Sequence, residues 1–153
     1  MNLTLPSNVL RMLIGGAVSG AVLALLALAA PRLTRRLLFA VLVFAAAMYV
    51  VFTVGTEKMS VWIGIELAGV AIYTAMGWRG LKGSPWWLVA GWAAHTVWDV
   101  ALHFVGPGHT FAPVTYTIPC FTYDLAVAAI YAARLVMTRR TEGGRGAAAA
   151  LPA

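Results

Sequence analysis

Residues 9–30 read VLRMLIGGAVSGAVLALLALAA, an apolar run interrupted by a single charged residue, Arg11. At a rise of ~1.5 Å per residue, a helix of about 22 residues crosses the ~30 Å hydrocarbon core of a bilayer. Four further apolar runs of about 18 to 20 residues each follow it, at 37–54, 61–78, 86–105 and 119–137. The sequence therefore predicts an all-α bundle of five transmembrane helices.

The overall composition agrees with a membrane protein. Of the 153 residues, 61% are hydrophobic and 10% are charged, whereas about a quarter of the residues in a soluble protein are charged. Five spans leave little chain for a soluble domain, so we expect one membrane domain over residues 1–138 and a disordered tail over 139–153. The net charge of +6 does not indicate nucleic-acid binding, because the basic residues lie at helix ends.

The distribution of basic residues predicts the orientation. If successive spans run in opposite directions, only two basic residues, Arg11 and Lys58, lie on the same side of the membrane as the N-terminus. The positive-inside rule makes the other side cytoplasmic, so we expect the N-terminus outside and the C-terminus inside a bacterial cytoplasmic membrane. A cleaved signal peptide over residues 1–30 is the alternative, since Ala27–Ala29 resembles a cleavage site. The basic residues predicted on the cytoplasmic side are Arg32, Arg35, Arg36, Arg79, Lys82, Arg134, Arg139, Arg140 and Arg145.

The first span carries two overlapping pairs of small residues, Gly15 with Ser19 and Gly16 with Gly20. Small residues at this spacing allow two helix backbones to approach closely in lipid. We expect a contact with another helix of the same chain, and a homodimer through this face is the alternative.

Five ionisable residues lie inside the predicted spans, namely Glu66, His95, Asp99, His103 and Asp124. A charged residue at the bilayer centre costs ~2.5 to 3.5 kcal/mol, so such residues usually face a cavity or one another. Counting ~1.5 Å per residue from the span ends, the three carboxylates lie ~8 to 9 Å below the outer surface. We therefore expect them to converge at one level.

On the fourth span, His95, Asp99 and His103 recur at every fourth residue and share one helix face. The simplest arrangement is a pocket between spans three, four and five that opens outward beneath the loop of residues 107–116. Aromatic side chains can wall such a pocket and stabilise a cation. Besides His103, the predicted ligand-binding residues are Tyr49, Tyr73, Trp92, Trp98 and Tyr123.

Carboxylates held close together favour different protonation states, so one can act as an acid and another as a base. We predict Asp99, Asp124, Glu66 and His95 as catalytic residues for isomerase or cyclase chemistry on a lipid-like or amphipathic small molecule. Two alternatives stay open: proton- or cation-coupled transport, and a non-catalytic polar network that specifies helix packing.

A metal site is the third alternative. Carboxylates and imidazoles suit zinc or iron, and Glu66, Asp124 and a histidine could supply them. The sequence contains neither HxxxH nor HExxH, and a helix separates His95 from His103 by ~12 Å. The sequence therefore predicts neither a bound metal nor a cofactor.

Two stretches, GWAAHTVWD at 91–99 followed by His103, and PCFTYD at 119–124, resemble a family of small uncharacterised bacterial membrane proteins. The resemblance spans Trp62 to Arg134 and implies a multi-pass membrane protein without an established activity. The chain is more loosely similar to the sterol isomerase and sigma-2 receptor superfamily, bundles of four or five helices with intramembrane acids. That similarity implies proton transfer by His95 and Asp99 around a cationic lipid or amine, with Glu66 or Asp124 as the second acid. Asp99 stands where that family has Glu.

Overall fold

The fold is all-α, as the sequence predicts. The computed structural model describes residues 6–149, and side chains only over residues 6–141. A π-helical segment, Asp99–Phe104, continues α4, and a short 3-10 helix, Pro107–Thr110, precedes α5. The five α-helices are Ser7–Ala29 (α1), Thr34–Phe52 (α2), Met59–Lys82 (α3), Trp86–Trp98 (α4) and Val114–Ala149 (α5).

Four helices within residues 6–149 are long and apolar enough to cross a membrane: α1, α2, α3 and the Val114–Thr141 part of α5. The remaining predicted span is divided between α4, with 13 residues, and the π-helical segment, with 6. Large apolar side chains such as Leu26, Phe44 and Val97 are exposed on the outside of the bundle. A bundle that presents this much apolar surface belongs in lipid rather than in water.

α4 lies between α3 and α5 and also touches α2. We name the two ends of the bundle by residues there: the Gly55 end carries the α2–α3 loop and the 3-10 helix, and the Arg35 end carries the other two turns. The half of the bundle toward the Arg35 end is closed by fully buried apolar side chains. These are Ala27, Leu38, Leu42, Leu88, Trp92 and Val127.

The small residues of α1 pack against α5. A Cβ atom at Gly16 would collide with the Pro119 carbonyl group, and one at Gly20 would collide with the Tyr123 backbone. Gly16 and Gly20 are therefore buried in a contact between two helices of the same chain, which the sequence predicts for this motif. A Cβ at Gly15, by contrast, would meet nothing within 4 Å. A homodimer through the face of Gly15, Gly16, Ser19 and Gly20 stays a prediction.

Both ends of α5 extend beyond the apolar run at 119–137. The helix begins at Val114, so Pro119 lies in its second turn. Proline has no N–H group, so the carbonyl oxygen of Thr115 lacks its usual helical bond. Near this position the Thr122 hydroxyl group donates to the carbonyl oxygen of Leu13 on α1, at 2.8 Å. At the other end, α5 includes residues 139–149 of the segment for which the sequence predicts disorder. Residues 1–5 and 150–153 lie outside the described residues.

Candidate functional site

A cluster of three buried residues lies where α4 meets α5. His95 lies on α4, one helical turn before Asp99, and Asp124 approaches both residues from α5. Nδ1 of His95 and Oδ2 of Asp124 form a hydrogen bond of 2.6 Å, and the same nitrogen lies 3.7 Å from Oδ1 of Asp99. All three side chains have an exposed fraction of 0%. We call His95, Asp99 and Asp124 the His–Asp–Asp cluster.

Glu66 and His103 form a second pair, toward the Gly55 end. Nε2 of His103 lies 3.5 Å from Oε2 of Glu66, and the indole N–H of Trp98 donates to the same oxygen over 3.3 Å. Both members of the pair are 2% exposed. Glu66, the third carboxylate that the sequence predicts at this level, therefore contacts His103 and does not belong to the His–Asp–Asp cluster.

The π-helical segment separates these two groups. Its wider turn is closed by bonds such as Val105 N–H to the Val100 carbonyl oxygen, at 2.9 Å. An ideal α-helix would hold His95, Asp99 and His103 on one face. The π turn instead directs His103 toward Glu66, while Asp99 stays beside His95. Such insertions in α-helices are frequent at functional sites.

Tyr49 connects the two groups. Its ring stacks on His103 with centroids 3.7 Å apart and lies 6.1 Å from the ring of His95. Its hydroxyl group is near the Asp99 carboxylate. The ring of Tyr116 packs on its other side. Tyr49, which the sequence predicts as a ligand-binding residue, thus lies between the two ionisable groups.

The other predicted aromatic residues divide into two sets. Tyr73 packs edge-on against His95 at 4.9 Å, and Trp98 binds Glu66, so both border the ionisable groups. Trp92 is fully buried in the apolar core, 5.9 Å from the half-buried Tyr123. Tyr123 lines a separate cavity of about 280 Å³ between α1, α2 and α5. Tyr123 therefore contacts Trp92 and faces this separate cavity.

A larger cavity of about 720 Å³ opens at the Gly55 end. The sequence did not predict which residues line this cavity, although the apolar character of the 107–116 loop indicates that this segment covers the bundle. Phe111 lines the cavity and packs against both Trp62, at 4.8 Å, and His103, at 5.7 Å. The Glu66–His103 pair thus lies behind Phe111, next to this cavity. Its lining residues include Phe52, Trp62, Phe111 and the charged Glu57 and Lys58.

Many buried polar atoms of the site lack a protein partner. Buried polar groups normally form hydrogen bonds, since an unpaired one costs ~1 to 3 kcal/mol. Within the part of the chain that the structure describes, both Asp99 oxygens and Oδ1 of Asp124 have no such partner. A polar network that only held the helices together would satisfy these groups. The atoms without a partner in the same described region also include Tyr49 Oη, Glu66 Oε1, His95 Nε2 and both ring nitrogens of His103.

The arrangement is suited to moving protons. In the His95–Asp124 pair, the carboxylate orients the imidazole and stabilises its protonated form, while Asp99 offers a second carboxylate at the same ring nitrogen. Glu66 and His103 repeat the combination of acid and imidazole a short distance away. The site can therefore deliver a proton at one point and accept one at another.

Fold and site together define a small all-helical membrane protein with a buried acidic and histidine site. The chain belongs to DUF6010, a family of unknown function, whose family model matches residues 11–137. This match extends the predicted resemblance, which spans Trp62 to Arg134, in both directions. Comparison with curated proteins and with solved structures found no similar chain. The similarity to the sterol isomerase and sigma-2 receptor superfamily stays a prediction.

Proposed function

We propose that the chain crosses a bacterial cytoplasmic membrane five times, with its N-terminus outside and its C-terminus in the cytoplasm. α4 and the π-helical segment follow each other without a break. Their combined length approaches the ~30 Å of a hydrocarbon core. The basic residues at the Arg35 end support the orientation. There, the side chains of Arg79, Lys82 and Arg139 lie over the rings of Trp87, Trp78 and Trp86, as at a membrane interface.

The site in the outer half of this bundle binds a lipid-like or amphipathic small molecule. One observation carries this proposal: five ionisable side chains are buried in an apolar bundle, and most of their polar atoms have no partner among the described residues. A bound molecule with polar groups would supply those partners. The aromatic cavity beside Phe111 offers such a molecule a route from the outer surface.

Acid/base catalysis of the isomerase or cyclase type is the chemistry we assign to this site. Such reactions add a proton at one carbon atom of a lipid and remove one from another. His95, oriented by Asp124, carries the proton; Asp99 stabilises the positive charge that develops or removes the second proton. Glu66, held by Trp98, is the second acid. The aromatic rings of Tyr49 and Tyr73 flank a cationic centre at this position.

Proton- or cation-coupled transport is supported less well. A transport path needs polar groups or water on both sides of the site. Toward the Arg35 end, the bundle is closed by tightly buried apolar residues such as Leu38, Leu88 and Val127. Among the described residues, the buried ionisable side chains therefore lie on one side of this apolar layer, and only the tyrosines Tyr73 and Tyr131 bring hydroxyl groups into it.

Native mass spectrometry of the purified protein tests the ligand proposal. We expect wild-type protein to retain a lipid or isoprenoid mass and Asp99→Asn to lose it, with both variants eluting as folded protein. Glu142→Gln is the control, since it removes a carboxylate much further along α5. A wild type that carries no lipid mass, even after incubation with a total bacterial lipid extract, would contradict the proposal.

A further inference from the structure

The His–Asp–Asp cluster has the composition and spacing of a metal site. One nitrogen of His95 and one oxygen each of Asp99 and Asp124 all lie within 4.8 Å of one another. Two ligands bound tetrahedrally to zinc at ~2.0 to 2.1 Å are ~3.4 Å apart. The 3.7 Å between His95 and Asp99 is close to this spacing. The 2.6 Å between His95 and Asp124 is a hydrogen bond, which a cation between the two atoms would replace.

Among the described residues, no lysine or arginine side chain pairs with the two carboxyl groups of the cluster. Over residues 6–141, the ion-pair contacts of Asp99 and Asp124 are with His95 alone. Two carboxylates in an apolar interior are costly unless they are paired, protonated or bound to a metal. A divalent cation would neutralise both of them and leave the imidazole neutral, which is the form that binds metals.

A second observation points to a missing partner at the same position. The hydroxyl group of Tyr49 is fully buried near Asp99, and it forms no hydrogen bond of ordinary length and angle with a described group. Both oxygens of Asp99 are equally unpaired within residues 6–141. A cation with a bound water would satisfy the carboxylates directly and the hydroxyl group through that water.

We propose that His95, Asp99 and Asp124 bind a divalent transition-metal cation of the zinc type. Imidazole with two carboxylates suits Zn²⁺, Mn²⁺ or Fe²⁺, and three protein ligands leave a position for water or a substrate oxygen. His95 binds through Nδ1, so its ring proton moves to Nε2. Glu66 is not a ligand in this arrangement, because it contacts His103 and Trp98. The proposed site thus differs from the Glu66–Asp124–histidine combination considered from sequence. It does not depend on a lipid ligand, and it gives these residues a different role from the one proposed above: with the cation bound, Nδ1 of His95 is a ligand and carries no proton.

Metal analysis of stripped and reloaded protein tests this site. Purified protein is treated with a chelator, dialysed against Zn²⁺ or Co²⁺, and analysed by plasma mass spectrometry; Co²⁺ also gives a visible absorption band that reports coordination. We expect one bound equivalent in the wild type and in Glu66→Gln, the matched control. Asp99→Asn and Asp124→Asn should each weaken binding more than tenfold, since even loss of an outer-shell partner costs about tenfold.

Two results would overturn the metal site: a wild type that binds neither ion, or a Glu66→Gln variant that loses as much affinity as Asp99→Asn. If Asp99→Asn does not fold, as judged by size-exclusion chromatography, His95→Gln replaces it in the comparison. The lipid measurement is repeated on the chelated wild type. Failure of the metal site then remains distinguishable from failure of the ligand proposal.

Discussion

Asp99 is a carboxylate fully buried in an apolar bundle, and neither of its oxygens has a hydrogen-bond partner among the described residues. Its neighbour Asp124 is equally buried but bonds to His95. Removing a buried group costs stability in proportion to the partners it leaves behind. The two aspartates are therefore chemically alike but have different structural importance, and Asp99 is the one available to a ligand.

The sequence could predict part of this site. Counting residues from the span ends correctly brings Asp99 and Asp124 to one level, and the structure joins them through His95. The same counting places Glu66 at that level, yet Glu66 contacts His103. The depth of a residue in the membrane does not determine the direction in which its side chain points around the helix axis. The division of the ionisable residues into the His–Asp–Asp cluster and the Glu66–His103 pair could therefore not be predicted.

At the scale of helices, the apolar runs predicted α1, α2 and α3 well, because each is limited by charged or turn-forming residues. The π-helical segment Asp99–Phe104 left no signal, since its residues fit an α-helical pattern equally well. The start of α5 at Val114 was also missed. Hydropathy places that boundary at Pro119, whereas the backbone N–H groups of Tyr116 and Thr117 already donate to the Pro113 carbonyl oxygen, so the helix begins earlier.

The contact between α1 and α5 gives a prediction with a matched control. A methyl group at Gly20 would collide with the backbone of Tyr123, whereas one at Gly15 meets open space. Gly20→Ala should therefore lower the free energy of unfolding by about 1 to 3 kcal/mol. Gly15→Ala should leave it unchanged or raise it by up to about 1 kcal/mol, since alanine favours a helix. Unfolding of each variant in detergent measures this, and equal losses would contradict the α1–α5 contact.

For the whole molecule, the positive charge at the Arg35 end predicts an orientation that cysteine labelling can test. Cys120 is the only cysteine, so Cys120→Ala provides a background without thiols. In spheroplasts, a membrane-impermeant maleimide should label Thr56→Cys, in the α2–α3 loop, but label Ser84→Cys only after permeabilisation. Labelling of both from outside would mean that α3 does not cross the membrane, and the reverse pattern would invert the orientation.

The central claim is that the buried ionisable residues serve a ligand rather than the fold, and the stability of Asp99→Asn tests it most directly. The free energy of unfolding is measured for delipidated, chelator-treated wild type, Asp99→Asn and Asp124→Asn. Asp124→Asn should lose about 1 to 3 kcal/mol, because it breaks the bond to His95. Asp99→Asn should be as stable as the wild type or more stable, since it breaks no side-chain hydrogen bond and only a long 3.7 Å contact with His95, and it no longer buries a carboxyl group. A loss for Asp99→Asn equal to that for Asp124→Asn would contradict the account and assign both residues to a structural network.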